Sequence, residues 1–480
     1  MIKFIERISK LVLFVVAVIV SIDVCAGAGK MEYKVLSLSF DTKTTTTLLS
    51  PPKISAVIGD PTDPAYKEGI YIDVLEDNKI ISDQAYSVEV ESNGKSIVHP
   101  DSITVRKEDG KILLKIKPSS VGYCSINIIV FRNKQTANIA IDYAVSAKTN
   151  LHSFYHTGIS DASSAIQIND SIMLIGDDET NQFCLYHTNK SGLPVKRFDY
   201  ESYLGLNDGS VDNLKEVDVE CGARSLKDAT RTYWLGSMSN GGKRYDVKPN
   251  RNTLFRTTIT GNSNELAINY SVGYHQLRKY LIEWGNANGY HLEESAAAGM
   301  KPKQQGGYNI EGLCFGPDST TLYICFRAPQ VPVTQRDKAL IAPILNFEEW
   351  FKNGKPNSKP VFGKPIELDL DKRGFRDVIV LKDKSYLIVA GNADAERNCA
   401  LYKWSGFEKD KPQNLNIDGI KELGAEAAIE LLDNGKATGS IQLICDDGST
   451  VWYNDGNPSK NLDPKFKKFR SVVVKINETK

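Results

Sequence analysis

The chain has 480 residues, of which 41% are apolar and 25% charged, and its 59 Lys+Arg are matched by 59 Asp+Glu. A formal charge of zero with no basic stripe excludes nucleic acid as a partner, because phosphate binding needs clustered Lys and Arg. The length exceeds one ordinary domain, so two are expected.

At the N-terminus Lys3, Arg7 and Lys10 precede the apolar run Leu11–Val20, and Ala26-Gly27-Ala28 supplies small residues at a cleavage spacing. Residues 1–28 read as a secretory signal peptide, with an uncleaved anchor as the alternative. The run is too short to span a bilayer comfortably, so the mature chain is expected to carry no membrane span. A secreted or periplasmic protein follows. Cys25 keeps a surface lipoprotein open, although Val24 before it is larger than the usual small residue.

Residues 31–148 contain short alternating runs such as YKVLSLSF, GIYIDVLE, YSVEVESNG, SITVRKEDGKILLKIKP and YCSINIIVF. Period-2 alternation with Asp-Gly and Asn-Gly punctuation predicts an antiparallel sandwich. GDPTDPAYKEGIYIDVLED followed by KILLKIKPSSVGYCSINIIV resembles the immunoglobulin-like repeats of secreted bacterial surface proteins. That resemblance implies a spacer or docking module. Asp60, Asp63 and Asp73 fit either a calcium site at a domain end or turn and cap roles. The boundary is placed at VSAKTN, residues 145–150.

Residues 151–480 repeat one pattern five times: an acid, an apolar strand, a turn, a second apolar strand and a polar cluster. The leading acids are Asp161, Glu220, Glu311, Asp377 and Glu426, and the clusters close at Asp177/Asp178, Ser237, Arg327, Asn392 and Asp446/Asp447. Within copies the spacing is 16, 17, 16, 15 and 20 residues, and the acids lie 59, 91, 66 and 49 residues apart. The long interval holds SVGYHQLRKYLIEWGNANGYHLEES, residues 271–295, which reads as a helical insertion. A unit of about 40–50 residues with four short strands is the size of a propeller blade. The expected fold is therefore all-β: a sandwich followed by a five-bladed β-propeller, with six blades as the alternative. Regular amphipathic helices, which a TIM barrel needs, are missing.

Two short strands and a turn return the chain to the face it left. Closing the blades is expected to gather Asp161, Glu220, Glu311, Asp377 and Glu426 at one mouth of the channel. Such a ring of carboxylates must be protonated, paired with Arg, or bound to a hard cation such as Ca2+. The alternative for each acid is acceptance of backbone N–H groups from the neighbouring blade. Asp177, Asp178, Arg327, Asn392, Asp446 and Asp447 form the expected outer set, with Arg224 and Arg376 adding positive charge. Tyr233, Trp234, Trp404 and Trp452 suit either sugar stacking or core packing.

YNIEGLCFGPDSTTLYICFRAP, ECGARSLKDATRTYWLGSMSNGGK, FRDVIVLKDKSYLIVAGN and ICDDGS together resemble an uncharacterised family of secreted bacterial β-propellers, a domain of unknown function. The chain is similar, more loosely, to phytase-associated esterase-like propellers, which share an E-G-L-A strand start. It departs from them at ECGA, where Cys221 interrupts the Glu-Gly pair, and at EAAIE, which lacks the Gly. The resemblance implies a propeller without fixing an activity.

Two functions compete, beside a third reading as a structural scaffold with a satisfied polar channel. One is a non-catalytic module, a monomer, binding a small molecule, glycan or protein at the propeller face. The other is a calcium-dependent phosphoesterase or esterase-like hydrolase at the same mouth. Binding is favoured because no nucleophile–base pair, zinc motif or phosphate loop is visible, and the six His are not at ligand spacing. The eight Cys include no CxxC pair, and the seven beyond the signal read as buried single thiols.

Overall fold

A computed structural model describes residues 33–39, 52–77, 79–206, 216–262, 265–351 and 359–476. Residues 1–28, Cys25 among them, lie outside the described residues. The chain divides into two compact units, Met1–Ser146 and Ala147–Lys480.

The first unit holds two sheets. One orders Tyr33–Ser39, Ile70–Glu76, Lys111–Ile116 and Ile103–Glu108, and the other orders Lys53–Val57, Gln135–Ser146, Gly122–Arg132 and Ser87–Ser92. Alternate residues enter one shared core, among them Ile70, Ile72 and Val74 facing Ile126, Ile128 and Val130. This is the period-2 pattern of strands with one buried face. Asp63 caps the short helix Pro64–Lys67, accepting from Ala65 N at 2.9 Å and Val57 N at 2.8 Å. Asp60 closes an Asx turn on Thr62, and Asp73 faces Lys111 at 3.8 Å. These acids hold turns and pairs.

The second unit is a closed ring of four-stranded antiparallel sheets. In chain order their innermost strands are Ala162–Asn169, Val219–Arg224, Asn309–Phe315, Gly374–Val380 and Ala425–Asp433. Each inner strand packs beside the next, and the last packs beside the first. The fifth sheet is completed by Ser153–Thr157, from the start of the unit, which pairs antiparallel with Lys468–Lys475. The ends of the chain segment therefore lock the ring. This is an all-β, propeller-like architecture.

Gly312 shows how closely the inner strands approach. A Cβ there would lie 2.8 Å from Cys325 Cβ and 3.3 Å from Val378 Cγ1 of the next sheet. Between the second and third sheets run helices Leu277–Ala287 and Leu292–Ala296, inside the stretch read as helical. Leu277, Leu281 and Trp284 form one stripe of the longer helix and join the core of the third sheet with Leu313 and Phe326. Trp234, Trp404 and Trp452 are buried, as are the seven described cysteines, all free thiols. No described helix is long and apolar enough to cross a membrane.

Candidate functional site

Near its start, each inner strand carries a residue that its partner strand skips. The ladder passes from Ala162 to Ser164, Val219 to Cys221, Ile310 to Gly312, Phe375 to Asp377 and Ala425 to Ala427. Ser163, Glu220, Glu311, Arg376 and Glu426 are thus bulged residues at matching positions. A bulge leaves its residue outside the pairing and re-aims its side chain. The carboxylates of Glu220, Glu311 and Glu426 come within 4.8 Å of one another.

Two of the five expected acids are displaced from this ring. Asp161 sits two residues before Ser163, where Asp218 precedes Glu220: Asp178 N donates to Asp161 O at 3.2 Å, and Ser237 N to Asp218 O at 2.9 Å. Asp377 follows the bulged Arg376. Its Oδ1 accepts from Val378 N and its Oδ2 from Ala428 N of the fifth sheet, both at 2.8 Å. Asp377 is a strap between sheets and no part of the acid cluster. Ser163 donates to Val219 O at 2.5 Å and brings no charge.

Glu311 is the most heavily compensated group. Arg327 Nη1 reaches its Oε1 at 2.7 Å, Arg376 Nη1 its Oε2 at 3.3 Å, and Asn309 Nδ2 donates to Oε1 at 2.7 Å. Burial pushes the Glu311 carboxyl up, but the Arg327 and Arg376 guanidinium groups outweigh it and hold the pKa below the usual range. Arg327 also donates Nε to Ala393 O at 3.1 Å and Nη2 to Asp394 O at 2.5 Å. Arg376 continues to Glu426 Oε1 at 2.5 Å. Glu426 is pushed up to about 7 by burial, against Arg376 and with Glu311. Glu220 is pushed well above the ordinary range by burial and by the charge of Glu311.

A cleft of about 230 Å³ opens over this network, lined by residues from the first, third, fourth and fifth sheets. Its cations are Lys303, Arg327, Arg376, Arg397 and Lys460, against the carboxylates Asp161, Glu426 and Asp446. The exposed Lys303 and Lys460 ammonium groups make no ion pair with a described residue. Of the five acids expected at the mouth, Glu311 and Glu426 are paired with arginines, and the cleft is lined by more positive than negative groups. A larger cleft, about 400 Å³, runs beside the Leu277–Ala287 helix. Its buried Arg278 is already satisfied by Met238 O, Asn240 Oδ1 and Ala296 O.

The remaining expected residues divide. Asp178 belongs to the cluster and approaches Asp218 and Glu220. Asp446 lines the cleft, its Oδ1 accepting from Gly448 N at 2.8 Å. Asp177 is spent on Thr180 Oγ1 at 2.7 Å. Asp447, fully buried, accepts from Arg470 N and Arg470 Nη2, each at 3.0 Å. The Asn392 side chain accepts from Asn398 Nδ2 at 2.9 Å, while its carbonyl accepts from Arg376 at 3.2 Å. Arg224 ends the second inner strand, away from Glu220, and donates Nη2 to Gln167 O at 2.5 Å and Nη1 to Ala229 O. It holds backbone and adds no charge to the mouth.

Sequence reasoning missed Asp218, Arg251, Lys303, Arg397 and Lys460. Asp218 pairs with Arg251 Nη1 at 3.0 Å and accepts from Ser237 Oγ. Its signal was readable, because it stands two residues before Glu220 as Asn309 does before Glu311. The lysines and Arg397 lie on connections without periodicity.

No family model and no curated protein matches the chain. Among solved structures it is similar to a structural genomics protein of unknown function from Bacteroides thetaiotaomicron, at 9% identity over 82% of this chain and 92% of that one, TM-score 0.28. It is also similar to a quinonprotein alcohol dehydrogenase-like protein of the same organism (9%, 86% and 83%, TM-score 0.28). A third is virginiamycin B lyase from Staphylococcus aureus (11%, 62% and 71%, TM-score 0.24). These likenesses assign no activity to this chain.

Proposed function

We propose that the second unit is a five-bladed propeller of an exported protein that binds a small anionic ligand in its channel mouth, with an immunoglobulin-like first unit as spacer. The observation that carries this reading is the pair of uncommitted ammonium groups, Lys303 and Lys460, over a cleft walled by Arg327, Arg376 and Arg397. The arginines already serve carboxylates and carbonyls, so they supply a fixed positive field while the lysines supply free donors. Charge-assisted hydrogen bonds to a carboxylate, sulfate or phosphate fit that division. Cavities of this kind use a few placed polar groups for orientation.

The test is calorimetric titration with inorganic phosphate, sulfate, citrate, a uronic acid and a neutral sugar. Anions are expected to bind, and Lys303→Met with Lys460→Met to weaken them at least tenfold, about 1.4 kcal/mol. Binding of the neutral sugar that is indifferent to both substitutions would overturn the reading. A second reading, phosphoester hydrolysis at the same cleft, is favoured by Glu426, whose pKa of about 7 suits proton transfer beside Arg376. Turnover of a generic phosphoester, lost in Glu426→Gln, separates enzyme from binder.

A further inference from the structure

Glu220 is 7% exposed, and its carboxylate makes no hydrogen bond or ion pair with any described residue. Asp178 Oδ1 is likewise buried without a partner. One oxygen from each of Asp178, Asp218 and Glu220 lies within 4.8 Å of the others. A buried carboxylate without compensation is costly, and such groups are ordinarily paired or bound to metal. Here the neighbours are chiefly further carboxylates, which add repulsion to the cost of burial, with the Lys303 ammonium as the opposing charge.

We propose that Asp178, Asp218 and Glu220 form a binding site for a hard divalent cation, Ca2+ or Mg2+, with water completing the coordination. The ligand set is oxygen only, which selects these ions over zinc or copper. Oxygens held about 2.4 Å from a calcium ion lie up to about 5 Å apart, matching the observed spread. Charge agrees as well: Arg251 lies 3.0 Å from both Asp218 and Glu216, so this one guanidinium group is outnumbered by the carboxylates around it.

Two other clusters adjoin this one: Asp161 with Asp178 and Glu179, where Asp161 already accepts from Ser160 Oγ and Glu179 is exposed, and Glu220 with Glu311 and Glu426, the weaker candidate. Both Glu311 oxygens are taken by Arg327 and Arg376, and Arg376 also holds Glu426, so an ion there would meet a guanidinium group. Lys303 lies near Glu220 without forming an ion pair. The site is distinct in residues and in the sign of its ligand from the anion cleft.

The full chain, stripped with EDTA and exchanged into chelator-free buffer, is titrated with CaCl2 or MgCl2 at constant ionic strength, with KCl as control. Saturable one-site binding of one or both divalent ions is expected, with the unfolding temperature raised by about 5 °C at a hundred times the dissociation constant. Asp178→Asn and Glu220→Gln are expected to weaken binding at least a hundredfold, whereas Asp228→Asn, on an exposed turn, leaves it unchanged. In EDTA both site variants should unfold at or above the wild-type temperature, because each removes a repelling charge; this keeps loss of binding separate from loss of fold. Absence of binding by either ion, or binding that survives Glu220→Gln, overturns the site. Equal loss in Glu426→Gln with retention in Asp178→Asn would place the ion among the three glutamates and overturn the assignment.

Discussion

Arg327 Nη1 lies 2.7 Å from Glu311 Oε1, two side chains sixteen residues apart on neighbouring strands and 2% and 1% exposed. The pair explains why a hydrophobic hairpin begins and ends in charge. Arg327 spends its other donors on Ala393 O and Asp394 O, so it also fastens the third sheet to a loop of the fourth. Arg327→Met is expected to lower stability by roughly 3–5 kcal/mol, the cost of leaving a buried partner uncompensated. Adding Glu311→Gln should recover part of that loss. Urea denaturation of the single and double variants measures both, and a single-variant loss below about 1 kcal/mol would contradict the network.

Asp377 gives a contrasting prediction. Its two oxygens satisfy backbone N–H groups of Val378 and Ala428, so Asp377→Ala takes a partner from two buried donors, at about 1–3 kcal/mol for each left unsatisfied. Ligand and cation affinities should stay at wild-type values. Loss of either at unchanged stability would return Asp377 to the site.

The contrast also shows what the residue string could and could not reveal. The acid-to-cluster spacing exposes the recurring strand pairs, because a go-and-return of two strands has nearly constant length; each of the five repeats maps onto one ring sheet. The bulge is invisible in that spacing. One unpaired residue changes which side chain faces the channel without changing the period, so Arg376 takes the position assigned to Asp377, and Ser163 the one assigned to Asp161. Glu220, Glu311 and Glu426 stand in the ring because they are themselves the bulged residues. Lys303 and Lys460 stand on irregular connections, where chain geometry alone brings them to the cleft.

Acid-range behaviour follows from the buried carboxyls. Glu426, Asp377 and Asp177 are each pushed up to about 7, chiefly by burial. Between an ordinary carboxyl value near 4 and about 7, the native state therefore holds protons that the unfolded chain has released, and stability falls as pH rises through that window. Glu311 acts oppositely: its lowered pKa contributes stability above the ordinary value that is lost as pH falls through the lowered one. The unfolding free energy measured without divalent ions should be lower at pH 7.5 than at pH 5. Glu426→Gln should shrink that difference by up to roughly 3 kcal/mol, at about 1.4 kcal/mol per unit. An identical pH dependence in wild type and variant would contradict a raised Glu426.

Gly374 tests how tightly the ring is closed at the height of the charge network. A Cβ at this position would lie 2.0 Å from Arg327 O and 2.8 Å from Arg327 C. Both are backbone atoms, so no rotamer change relieves the clash, and either the third sheet's second strand or the fourth sheet's inner strand must shift. Arg327 and Arg376, which meet on Glu311, belong to those two strands. Gly374→Ala is therefore expected to cost about 1–3 kcal/mol, the range for overpacking a tight core, and to weaken anion binding by displacing the arginines that wall the cleft. Gly435→Ala, on an exposed hairpin with nothing within 4 Å of its added Cβ, controls for loss of glycine itself. Its positive φ of 73° carries a conformational cost of its own, but ligand affinity should not move. A Gly374→Ala variant with wild-type stability and affinity would mean that the third and fourth sheets are less closely joined than their backbone distances require.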